Sequence, residues 1–160
     1  MAVQQIEEMP GHLIRRLQQI SVAIFHAEVG AAGFDLTSVQ YAALSKVNTH
    51  PGIDQATLAG LIAYDRTTIT GVVDRLVQKG FLSREVSETD RRARVLHITD
   101  EGFAALQKIQ PAVLETQKIM LSGLSEPEQK EFMRLLEKAT SALNDLSRAP
   151  MKTAKSGAEK

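Results

Sequence analysis

Apolar residues recur at helical spacing over most of this chain, and the pattern changes in its middle third. Leu13, Leu17, Ile20 and Ile24, with Ile14 and Phe25 widening the stripe, predict a helix from about Pro10 to about Ala31, ended by Gly30-Ala31-Ala32-Gly33. Thr37 is a natural N-cap for a second helix reaching Thr49, with Val39, Ala42, Ala43 and Val47 inward and His50-Pro51-Gly52 as the break. Ile53 predicts a single-strand contact, after which Asp54 or Gln55 opens a third helix through Ala63. A fourth helix spans Arg66 to Lys79, uncapped at its start and closed by Gly80. The period then drops to two: Phe81–Val86 and Arg94–Ile98 predict strands joined by the polar turn Ser87-Glu88-Thr89-Asp90. Thr99, followed by Asp100 and Glu101, caps a long helix to about Leu121, with a bend expected near Pro111. Ser125 with Glu128 and Pro127 forms a capping box. It launches a last helix striped by Phe132, Leu135, Leu136, Ala139, Leu143 and Leu146.

The fourth helix and the hairpin carry the chemistry. At 100° per residue, Ile69, Val72, Val73 and Leu76 share one side of the helix. Thr67, Thr70, Gly71, Asp74 and Gln78 lie opposite, with Arg66, Thr68 and Arg75 on the flanks. Small hydroxyls and a glycine let a helix backbone approach the major groove closely, and threonine methyls can meet thymine methyls. Arg66 and Arg75 suit phosphates or a guanine edge. The hairpin brings Arg84, Arg91, Arg92 and Arg94 against Glu85, Glu88 and Asp90. A minor-groove wing needs one or two arginines at its tip and an acid that orients them, a role that fits Asp90 paired with Arg84 or Arg92. Taken singly, the helix also reads as a solvated amphipathic helix and the hairpin as a solvated charged loop. Side by side they predict a winged helix-turn-helix.

The fold class expected is therefore mainly α with a small β-wing, flanked by N- and C-terminal dimerisation helices. Residues 1–34 form the N-terminal dimerisation helix, 35–99 the DNA-binding module, 100–148 the C-terminal dimerisation helices and 149–160 a disordered tail. Terminal helices whose apolar stripes outrun a small module bury them against a second copy, which predicts a homodimer.

Bulk properties narrow the alternatives. The 160 residues carry 19 basic and 19 acidic side chains, so DNA binding has to come from local patches. With no cysteine, disulfides, thiol nucleophiles and thiolate metal sites are excluded. The four histidines, His12, His26, His50 and His97, show no zinc-like spacing. No phosphate loop or nucleophile elbow occurs, so neither an enzyme, a cofactor nor a metal is expected. No apolar run reaches the roughly 20 residues of a membrane span, and Met1–Pro10 lacks signal-peptide character, so a cytoplasmic protein is expected.

Leu36-Thr37…Gln40, Leu58-Ala59, Asp65-x-Thr67-Thr68-Ile69-Thr70…Val73-Asp74-Arg75-Leu76…Lys79-Gly80, Asp90-Arg91-Arg92 and Leu96-x-Ile98-Thr99-x-x-Gly102 together resemble the MarR family of bacterial regulators. The resemblance implies a fourth helix reading the major groove, a wing arginine in the minor groove and a dimer on an inverted-repeat operator in double-stranded DNA. Arg66 replaces the commoner small residue before the threonine pair, so base preference does not carry over there. Gly11-His12-Leu13-Ile14-Arg15-Arg16 and Asp35-Leu36-Thr37…Gln40-Tyr41-Ala42-Ala43-Leu44 are similar to a branch governing aromatic-acid catabolism. Its members are commonly repressors released by a small aromatic acid or its CoA thioester. Arg16 would then receive a carboxylate, His12 would bond the same group or a ring hydroxyl, and Phe25 and Tyr41 would wall the pocket. Arg16 as a surface or intersubunit salt bridge, and Phe25 and Tyr41 as core, remain alternatives. Arg15, Lys46 and Lys108 are candidates for a CoA moiety. A winged-helix protein-interaction module without ligand control is the competing reading.

Overall fold

Local hydrogen bonding sets most element boundaries. The computed structural model describes residues 5–152. Helix α1 (Pro10–Ala31) begins on a proline and ends where Gly33, at φ +85°, turns the chain. Thr37 and Gln40 exchange bonds, the Thr37 hydroxyl accepting the Gln40 N–H at 3.2 Å and the Gln40 side-chain carbonyl accepting the Thr37 N–H at 3.1 Å, and α2 (Ser38–Thr49) comes next. Strand β1 (Ile53–Asp54) leads into α3 (Gln55–Leu61), whose first turn Asp54 caps through the Thr57 N–H at 2.9 Å. This helix stops short of Ala63, which takes φ +51°. That left-handed residue closes the turn into α4 (Arg66–Gln78).

Strands β2 (Leu82–Val86) and β3 (Arg94–Ile98) form the wing. The sheet is antiparallel in the order β1-β3-β2, with Leu96 opposite both Ile53 and Arg84. Leu36, Leu44, Leu58, Ile69, Leu76 and Leu96 form the fully buried centre where α2, α3, α4 and the sheet meet. Thr99 starts α5 (Asp100–Leu121), its hydroxyl accepting the Gly102 N–H at 3.0 Å and donating to the Gly80 carbonyl at 2.6 Å. Gly102 is required by proximity: any Cβ there would overlap the Phe81 carbonyl oxygen. Pro111 lies within α5 without dividing it. Phe25 and Val29 of α1 are buried, as are Ala105 and Ile109 of α5, the helix against which α1 packs.

Helix α6 (Glu126–Ala142) starts with the Glu128 carboxylate accepting the Ser125 N–H at 2.8 Å, as its sequence predicts. It contains no buried residue. Leu135, Leu136 and Met133 stand open on it, as do Leu13, Ile14 and Ile20 on α1. Residues 149–152, expected to open a disordered tail, are instead held by hydrogen bonds. The Lys152 N–H donates to the Gly60 carbonyl at 2.8 Å and the Met151 N–H to Asn144 Oδ1 at 2.8 Å, so 149–152 is placed chain. The rest of that expected tail lies outside the described residues.

Candidate nucleic-acid interface

Contrary to the sequence-based expectation, α4 is capped. Asp65 Oδ1 accepts the Thr67 N–H at 2.8 Å and the Thr67 hydroxyl at 2.7 Å. These two bonds, with Arg148 nearby, hold the Asp65 carboxyl below the ordinary carboxylate range. The Thr68 hydroxyl donates to the Asp65 carbonyl at 3.1 Å. Thr70 is held from outside the helix, its hydroxyl accepting from Gln55 Nε2 at 2.9 Å. Thr67, Thr68 and Thr70 are all exposed, while Ile69, Val73 and Leu76 are buried. The helix therefore offers a row of small hydroxyl side chains whose orientations its own cap and Gln55 fix.

The wing is fastened differently from its expected arrangement. Arg84 Nη1 lies 2.7 Å from Asp74 Oδ1, so β2 is tied directly to α4. Asp90 orients no guanidinium among the described residues. Its Oδ1 accepts the Arg92 backbone N–H at 2.9 Å, and its own N–H donates to the Ser87 hydroxyl at 3.3 Å. It is a turn-former, because a short acid two residues before an amide closes an Asx turn more readily than it reaches a neighbouring guanidinium. Arg91 and Arg92 are left exposed at the tip. A cleft of about 690 Å³ lies between the wing, α4 and the start of α3, and Gln55, Arg66, Arg92 and Arg94 all line it.

Arg75 also lines a second surface. With Thr68, Gly71 and Val72 it forms one wall of a cleft of about 430 Å³ whose other walls come from α1 and α2. Gln18, Val22, Phe25 and His26 contribute from α1, and Tyr64 also lines it. Of the four expected ligand residues, Phe25 lines this space. The Tyr41 ring packs beside Phe25, centroids 6.3 Å apart, and burial raises its phenol pKa. His12 and Arg16 line neither this cleft nor the one under the wing. Positions 18, 22, 25 and 26 share a helical face, which puts Arg16 more than 90° away from it at 100° per residue and leaves Arg15 nearer. His26, Gln55 and Asp65 were missed from sequence; the 18-22-25-26 spacing was the available signal for the first. Among the described residues no three histidines or acids gather as a metal site, and no helix is long and apolar enough to cross a membrane.

Residues 36–93 match the family model described as the MarR family. The HTH-type transcriptional repressor NicR of Pseudomonas putida is 30% identical over 133 residues, covering 83% of this chain and 83% of that protein. The PcaV transcriptional regulator of Streptomyces coelicolor, solved in complex with its natural ligand, is 33% identical with a TM-score of 0.80, over 89% of this chain and 99% of that one. BpsR of Bordetella bronchiseptica, whose structure concerns regulation of DNA binding by 6-hydroxynicotinic acid, is 26% identical with a TM-score of 0.80, over 87% and 98%.

Proposed function

The chain belongs to the MarR family and is a transcriptional regulator of that type, and from that premise we propose that it represses genes for aromatic-compound breakdown and is released by a small aromatic carboxylate or its CoA thioester. One observation carries the ligand half: the 430 Å³ cleft is walled on one side by α4 itself, through Thr68, Gly71, Val72 and Arg75. That volume lies in the range of small-molecule sites. Phe25 and Val22 supply apolar contact, and Arg75 is a guanidinium suited to a carboxylate. His26 and Thr68 add hydrogen-bonding groups for ring hydroxyls. A single-ring acid fits; the remainder of a thioester would run out toward solvent.

The DNA half rests on the α4 face and the wing. The exposed side of α4 carries hydroxyls, Gly71, Arg66 and Arg75 without an aromatic side chain, which fits nucleic acid better than a protein partner. Arg66, Thr67, Thr68 and Thr70 enter the major groove, with Arg91 and Arg92 at the minor groove. Asp74, Arg84 and Asp90 shape this surface. The open apolar residues of α1, α5 and α6, including Ile14, Leu114 and Leu136, are buried by a second copy. Two α4 helices then read half-sites of an inverted repeat about 34 Å apart. A ligand that wedges α4 away from α1 and α2 favours a spacing that no longer matches that repeat.

The test is a thermal-shift panel of aromatic carboxylates and their CoA thioesters, paired with DNA release. A ligand at 100 times its Kd adds about 2.7 kcal/mol, a plain upward shift in Tm. A flat panel with intact DNA binding would sink the aromatic-acid reading and leave the regulator standing.

A further inference from the structure

Past α6 the chain turns back onto the DNA-binding module. A 3-10 turn (Asn144–Leu146) anchors the residues after it, Asn144 Nδ2 donating to the Met151 carbonyl at 3.2 Å and Oδ1 accepting the Met151 N–H at 2.8 Å. The segment Arg148–Lys152 then lies across the α3–α4 turn as a strap. Arg148 Nη2 sits 3.0 Å from Asp65 Oδ2, and the Lys152 N–H bonds the Gly60 carbonyl at 2.8 Å. The Lys152 stem rests on Gly60 itself, where a Cβ would meet it at 3.0 to 3.4 Å. Between strap and module is a space of about 360 Å³ lined by Arg66, Arg148 and Lys152 together with Asp65.

We propose that this strap is part of the DNA-binding surface, Arg148 and Lys152 adding phosphate contacts beside the N-terminal end of α4 and outside the helix-and-wing footprint. The inference rests on the DNA-binding reading. A recognition helix meets its groove with its N-terminal residues, and the phosphate ridges flank that end. Asp65 is needed there as the cap yet places an acid where DNA arrives. Without the strap Asp65 cancels Arg66; with it, the tip is positive. The Arg148 side chain is 86% exposed, so the Asp65 contact leaves most of its donors facing outward.

The discriminating measurement is binding to an arbitrary-sequence duplex of about three helical turns, read by fluorescence anisotropy over a salt series. Phosphate contacts are sequence-independent, and each contributes about 0.9 to the slope of log K against log salt. An Arg148→Ala/Lys152→Ala protein should lose up to about 3.6 from that slope across both protomers of a dimer, with little change in Tm. A chain ending at Ser147, which also lacks Lys155 and Lys160, should lose at least as much. An unchanged slope in both variants, or tighter binding once the strap is gone, would overturn the proposal by making the strap a brace or a shield. Wild-type protein without salt-dependent binding would instead remove the DNA-binding reading, and the strap with it.

Discussion

Replacing Asp74 by alanine separates two opposite roles for an acid on the helix proposed to read DNA. If Asp74 were only a negative charge near phosphates, its removal would strengthen DNA binding. The Arg84–Asp74 contact at 2.7 Å makes it a strut instead: it ties β2 to α4 and so sets where Arg91 and Arg92 stand relative to the threonine row. At that distance the bare Coulomb attraction is about 6 kcal/mol at an effective dielectric of about 20. The side chains are 31% and 44% exposed, so desolvation and water offset most of this. Exposed pairs measured by double-mutant cycles give about 0.2–1 kcal/mol, and this short one belongs at the upper end, near 1 kcal/mol. Urea unfolding of wild type, Asp74→Ala, Arg84→Ala and the double variant, at one protein concentration because the proposed dimer would link stability to concentration, gives the coupling. In the DNA assay Asp74→Ala should weaken binding by about five- to tenfold, up to about 1.4 kcal/mol, as the wing loses its register. Tighter binding by Asp74→Ala, or a coupling energy near zero, would refute the strut.

Gly102→Ala gains helix propensity on paper, yet it should destabilise the protein by several kcal/mol, about the size of other core-overpacking effects or larger, because the new Cβ overlaps the Phe81 carbonyl; a Tm equal to wild type would refute this. The cap at Asp65 makes a pH prediction. Its folded pKa is depressed, so its contribution is fully present above the unfolded value of about 3.9 and disappears as pH falls through the lower folded value. The stability gap between wild type and Asp65→Ala should therefore be constant at neutral pH and close only in acid; a gap that closes between pH 6 and 7 would contradict it. Leu136→Glu on α6 should shift sedimentation from dimer to monomer, since this residue is 42% exposed on a helix that buries nothing in its own chain; an unchanged dimer would move the interface elsewhere.

Legibility followed the range of the interaction. Thr37 with Gln40, Ser125 with Glu128 and Thr99 with Gly102 are three residues apart, so the helix starts were readable from spacing alone. Even Ile53 was recoverable, as an isolated apolar residue between two helices that pairs with Leu96. Asp65 was overlooked although its bonds are local, because an Asp two residues before a threonine signals less than a full capping box. What spacing could not show were partners brought together by folding. Gln55 and Thr70 stand 15 residues apart, Asp74 and Arg84 10, and Lys152 meets Gly60 from the far end of the chain. Helical periodicity ranks the faces of α1, but only α2 and α4 decide which face lines a cleft: Phe25 does, whereas His12 and Arg16 do not.

Under the proposed function, the α4 wall of that cleft makes operator and effector antagonists of one another. Whatever factor a bound ligand takes from DNA affinity, bound DNA must take from ligand affinity. The concentration of ligand needed for release then depends on how much operator is present and how tightly it is held. A strain carrying many operator copies would answer to a higher dose than one carrying a single copy, with no change in the protein. Substitutions at Thr68 or Arg75 made to retune ligand choice would also shift that threshold, since both side chains sit on the helix proposed to read the DNA. Dose sensitivity here is a joint property of the regulator and its binding sites.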